Sequence, residues 1–201
     1  MTVGVTPGVD AEPQDLLDAT TEAIEDLEEF LGPFPYRTLT VPLLPDYGGG
    51  IEYPSSILQA SPSREVLVHE VAHMWFYGMV GNSQFRDPWL DEAFATWAEA
   101  VVNRSSARQL ERALGVVGDV GDPMDAFRTQ QQYGARVYGK GGAALLEARE
   151  RAGVEAFDAA VRCYVDATAW AVATPEDVAE ALADLPEARE VLVEAGSLDA
   201  G

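Results

Sequence analysis

The chain holds two histidines, and both fall in one pentapeptide, His69-Glu70-Val71-Ala72-His73. Set in a helix, positions i and i+4 stand one turn apart on the same face, so both imidazoles can turn to a single metal ion. This is the H-E-x-x-H arrangement of a zinc hydrolase, in which neutral ring nitrogens serve as borderline-soft ligands. The competing reading is a helix with two incidental histidines, and the confinement of both to one turn argues against it. A catalytic zinc takes three protein ligands and keeps a fourth position open for water. Eighteen residues separate His73 from Glu92, in Trp89-Leu90-Asp91-Glu92. Two antiparallel helices joined by a loop over Gly78–Asp87 would bring that carboxylate back to the histidines. Asp91 and Glu92 also suit a first helical turn, where the helix dipole favours acids.

Glu70, next to His69, is the natural general base for a water held at such an ion: it takes the proton and passes it to the leaving amine. The ion would acidify that water and polarise the scissile carbonyl. One Zn2+ per chain is the expected cofactor, although the same ligand set can hold cobalt or manganese.

The pattern H-E-x-x-H, eighteen residues, then Glu resembles that of the gluzincin aminopeptidases, and the text around it resembles the aminopeptidase N (membrane alanyl aminopeptidase) family. Two further segments agree in order. Gly49-Gly50-Ile51-Glu52-Tyr53 is similar to the family's Gly-x-Met-Glu-Asn segment, and Val137-Tyr138-Gly139-Lys140-Gly141 is similar to its Tyr-Glu-Lys-Gly segment. The resemblance runs from about Leu16 to about Leu185. It implies a thermolysin-like zincin catalytic domain and zinc ligation by His69, His73 and Glu92. It makes Glu70 the base and the Tyr138 hydroxyl the donor to the tetrahedral oxyanion; Tyr133 is the second candidate for that donor. It also gives Glu52 the peptide α-amine, with the Gly49 and Gly50 backbone permitting close approach.

This sequence departs from the family pattern at Tyr53, Met74, Ala93 and Gly139, none of them a ligand. Full-length members carry an N-terminal β-rich domain that supplies part of the amine site, and usually a helical C-terminal domain over the cleft. The chain begins almost at the catalytic segment, so a partner domain or subunit closing the cleft is expected. The expected activity is removal of an N-terminal residue from a peptide substrate. A zinc endopeptidase with an open cleft, and a non-catalytic zinc-binding remnant, are the alternatives.

The elements that must position these residues read as mainly helical with a small β portion near the N-terminus. Pro13–Leu31 places apolar residues at helical spacing and stops at Gly32-Pro33. A strand is predicted over Tyr36–Leu44, a turn over Pro45–Gly50 and an extended piece at Ile51–Tyr53. Helices are predicted over Ser63–Met79, Pro88–Asn103, Ser106–Val116, Arg136–Ala152, Val154–Ala167, Pro175–Ala183 and Pro186–Glu194. Residues 1–201 read as one domain, with Ala195–Gly201 a frayed tail. Trp75, Trp89, Trp97 and Trp170 are expected in the core, as is the lone Cys163 among apolar neighbours.

Composition limits the partners. Thirteen Lys+Arg against 34 Asp+Glu give a net charge of −21, which opposes binding to nucleic acid or to an anionic membrane surface. No apolar run reaches the ~18 residues of a membrane span, and the first residues lack a secretory pattern, so a cytoplasmic location is expected. Twelve of the thirteen cations are arginine and the one lysine is Lys140. An acidic, lysine-poor surface fits a salt-rich, halophilic cytoplasm.

Overall fold

Thr2–Val5 forms a strand, β1, that sequence reasoning did not anticipate. It is followed by helix α1 (Pro13–Leu31), whose limits match the prediction because Pro13 opens it and Gly32, at a φ of 92°, ends it. Then come β2 (Thr40–Leu43), β3 (Gly50–Tyr53) and a second unanticipated strand, β4 (Ser56–Gln59). The sheet order is β1-β2-β4-β3, with β3 antiparallel to β4 and the other pairs parallel. The computed structural model describes residues 1–45, 49–61 and 63–200, so residues 46–48 of the predicted turn over Pro45–Gly50 lie outside the described residues.

The rest is helical: α2 (Arg64–Ala72), α3 (Trp89–Val102), α4 (Arg104–Leu110), α5 (Gln130–Tyr133), a π-helical segment over Gly134–Lys140, then α6 (Gly141–Ala152), α7 (Val154–Thr168), α8 (Pro175–Ala181) and α9 (Pro186–Glu194). The mainly α architecture with a small N-terminal sheet is therefore as expected. Among the described residues no helix is long and apolar enough to cross a membrane.

Helix α3 is the axis of the core. Ten of its side chains are buried, because it packs against α2 on one side and α6 on the other. Trp97 meets the rings of Phe30, Phe94 and Phe157 at centroid distances of 5.5, 6.1 and 5.7 Å. Trp75 and Trp89 are likewise buried.

Four expectations are corrected. Helix α2 stops at Ala72, not Met79. Met74, Trp75 and Phe76 stay in the core, but the chain turns back through Tyr77, at a φ of 94°, and Gly78, whose amide donates to the His73 carbonyl at 2.8 Å. A β-carbon at Gly78 would meet the His73 and Met74 carbonyl oxygens at 2.9 Å, so glycine is what permits this stop. Residues 195–198 of the predicted tail are docked: Ala195, Ser197 and Leu198 are buried, and the amides of Val120 and Gly121 donate to the carbonyls of Ala195 and Gly196. Trp170 is 65% exposed, since its φ of 62° turns it out against Tyr36. Cys163 is also exposed, on the outer face of α7.

Candidate metal centre

Helix α2 presents His69 and Glu70 one turn before its end, and His73 is the residue that caps it. The first turn of α3 supplies Glu92. The hairpin made by the Gly78 turn and the loop that follows brings the two together. His69 Nε2 and Glu92 Oε2 are 3.3 Å apart, His73 Nε2 and Glu92 Oε2 are 3.3 Å apart, and the two Nε2 atoms are 3.2 Å apart. These three atoms form a near-equilateral triangle. Ligands ~2.0 Å from a tetrahedral zinc are separated by about 3.3 Å, so the triangle has the size such an ion requires.

The far ring nitrogens are held as well. His73 Nδ1 lies 3.1 Å from the Phe76 carbonyl oxygen, and His69 Nδ1 lies 3.6 Å from Glu99 Oε2. A carbonyl or carboxylate behind a ligating imidazole fixes ring orientation and raises ligand basicity. Ser106 Oγ donates to the other oxygen of Glu99 at 2.7 Å, which steadies it. Glu99 was missed in the sequence; its one signal is its place seven residues after Glu92, on the same face of the helix.

Electrostatics favours positive charge at the triangle. Burial disfavours charge on His69, yet Glu92 and Glu99 outweigh it and push its pKa up to about 10. His73 shifts upward for the same reason, burial being overcome by Glu92. Burial also opposes the ionised form of Glu92, but the two imidazoles hold its carboxyl far below the usual range. The demand for positive charge is met by protons or by a cation.

Glu70 is buried, and its Oε2 has no hydrogen-bond partner among the described residues. Burial pushes its pKa up, against the pull of the two histidines. Glu52, on β3, brings a carboxylate oxygen within 4.8 Å of ligand atoms on Glu70 and His73. Gly50 is packed against Glu70: a β-carbon there would overlap the Glu70 carboxylate. The Tyr138 ring lies flat on that of His69, 5.8 Å between centroids and 11° between planes. Burial and the charge of Glu92 drive its hydroxyl far above the ordinary phenol value, so it stays protonated. Tyr133 packs edge-on against Tyr138 at 5.5 Å; Tyr138 lines the cavity and Tyr133 stands behind it. Asp91 points away from the triangle, accepting from Gln84 and from the Glu92 amide, and burial raises it to about 6.

A cavity of about 460 Å³ opens onto these groups and brings together Gly49, Gly50, Glu52, Glu70, Glu92 and Tyr138 with both histidines. Every sequence-predicted site residue thus lies at one place.

Comparisons with known proteins agree. The model of the peptidase family M1 domain matches residues 16–194. Aminopeptidase N of Lactobacillus helveticus is 27% identical, over 89% of this chain and 26% of its own length. Leucyl aminopeptidase of Saccharolobus solfataricus is 28% identical, over 65% of this chain and 19% of its own. A solved M1 zinc metallopeptidase from Deinococcus radiodurans superposes with a TM-score of 0.78 at 25% identity, over 96% of this chain and 46% of that one. The chain spans less than half the length of these relatives.

Proposed function

Because the chain belongs to peptidase family M1, we propose that it is a zinc-dependent aminopeptidase unit, residues 1–201 forming one thermolysin-like catalytic domain. The observation that carries this is the triangle of His69, His73 and Glu92 with the unpartnered carboxylate of Glu70 beside it. The names of its relatives, aminopeptidases and zinc metallopeptidases, support the same reading.

His69, His73 and Glu92 would hold the zinc, whose Lewis acidity would activate water and polarise the carbonyl. The remaining work falls to the chain's own groups. Glu70 Oε2, with no competing donor among the described residues, accepts the proton of the attacking water and delivers it to the leaving amine nitrogen. The Tyr138 hydroxyl donates to the oxyanion that forms at the carbonyl carbon. Glu52 accepts from the protonated α-amine of the peptide, which places the first peptide bond at the reacting groups. Gly50 leaves Glu70 the space it occupies. The acidic, arginine-biased composition supports a soluble role in a salt-rich cytoplasm.

The test is hydrolysis of leucyl and alanyl chromogenic amides by purified protein in high salt, with metal content measured on the same sample. Turnover that requires one zinc, disappears in Glu70→Gln and fails on N-acetylated substrate establishes the aminopeptidase. Cleavage of blocked peptides would instead establish an endopeptidase. One zinc per chain without turnover of either substrate would overturn the enzymatic reading and leave a remnant that binds metal.

A further inference from the structure

The segment that carries Tyr138 is a π-helix, in which the Gly141 amide reaches back five residues to the Arg136 carbonyl. A π-helical insertion adds one residue to a helix and turns everything across it by ~100°, and such segments are rare and short-lived unless their surroundings hold them. Two cations four residues apart bracket Tyr138 and do the holding. Arg136 Nη1 donates to Asp122 at 2.7 Å, and its guanidinium lies over the Phe127 ring, 5.8 Å from the centroid. Lys140 Nζ donates to the Gly118 carbonyl at 2.7 Å, although Lys140 is 93% buried (7% exposed).

Both anchors sit on the same loop, residues 118–122. That loop is in turn fixed by the docked tail, through Val120 to Ala195 and Gly121 to Gly196. Gly118, at a φ of 102°, leaves room for the Arg136 guanidinium where a side chain would collide with it. Burying an ammonium on a neutral carbonyl is expensive, and an apolar residue would fill the space at less cost. The chain's one lysine has been kept here.

We propose that Lys140, with Arg136, is a positioning residue: it pins the π-helical segment to the 118–122 loop and so sets the Tyr138 ring flat on His69. The positional claim stands on geometry alone, and its consequence for turnover rests on the aminopeptidase reading above.

The experiment has two arms. In protein labelled with fluorotyrosine, the 19F resonance lost in Tyr138→Phe identifies Tyr138 among the seven tyrosines. In Lys140→Met that resonance is expected to move towards the free-fluorotyrosine position, because the ring leaves the imidazole face. In the kinetic arm, Lys140→Met is expected to lower kcat about tenfold or more with KM changed less than about twofold, and to add nothing in a Tyr138→Phe background, since the two act through one contact. An unmoved resonance, or an equal loss of kcat in both backgrounds, overturns the proposal. Should Lys140→Met not fold, Arg136→Gln removes the other anchor and is read by the same two criteria. Should the wild-type protein hydrolyse no peptide, the resonance still decides, so failure of the function and failure of the positioning role remain distinct.

Discussion

Gly50 and Glu70 share one volume: the carboxylate of Glu70 occupies the place where any other residue at position 50 would put its β-carbon. The strand β3 therefore sets the base as well as carrying Glu52. Gly50→Ala is expected to displace the Glu70 carboxylate and lower kcat by roughly 10- to 100-fold, within the range that general-base catalysis contributes. Zinc content should not change, since no ligand moves. Steady-state kinetics beside metal analysis checks this, and an unaltered kcat would refute it.

Glu99 braces the histidine and makes no contact of its own with an ion at the triangle. Glu99→Gln is expected to weaken metal binding by about 10- to 100-fold, as loss of a carboxylate behind a ligating imidazole generally does. Competition with a chromogenic chelator measures it.

The protons at the triangle make metal uptake pH-dependent. With a pKa of about 10, His69 is protonated at neutral pH in the metal-free protein and must release that proton to bind. Apparent affinity should rise with pH up to about that value, by roughly tenfold per unit for each proton released. In the metal-free protein the sign for stability is opposite. The raised pKa contributes stability that is complete below the ordinary histidine value and is lost as pH rises through about 10. The depressed pKa of Glu92 contributes stability present above the ordinary carboxylate range and lost as pH falls well below it. Thermal melts of metal-free protein across pH, beside melts with zinc, separate the two signs.

The tail is structural. Leu198 joins the core at 7% exposure, so Leu198→Ala should cost about 2–3 kcal/mol, the lower end for a buried leucine. Denaturant unfolding checks it; a cost near zero would mean the tail is loosely docked in solution.

A net charge of −21 repels itself over about 30 Å at 0.01 M salt but only about 3 Å at 1 M. Melting temperature should therefore fall steeply on dialysis from molar to millimolar salt. A salt-independent melt would leave the arginine excess without a halophilic cause.

The ligands were legible because their chemistry is local: two histidines at i and i+4 and an acid in the first turn of the next helix need only two helices to meet. Helix α1 was legible because its punctuation is strong at both ends. What escaped was set by contacts distant in sequence. Strands β1 and β4 are four residues each, too short for alternation to register, and exist because β2 lies between them. The stop at His73 is invisible in an apolar run that remains buried after the helix ends, and depends on the turn through Tyr77 and Gly78. Cys163 and Trp170 have apolar neighbours in sequence but face outward: which face of α7 is covered depends on the elements packed against it, and Trp170 stands in a turn past the end of that helix. Glu99 gave no motif, because a residue that braces a ligand on another helix has no fixed spacing rule.

The burial of Lys140 reaches beyond Tyr138. With the only lysine in the interior, the side-chain cations of the outer surface are guanidinium groups, which hold their charge where ammonium groups lose theirs. Mild alkali therefore removes few of the positive charges on the protein's exterior. The alkaline limb of a pH–rate profile would then carry less of the drift in surface charge that lysine-rich enzymes show.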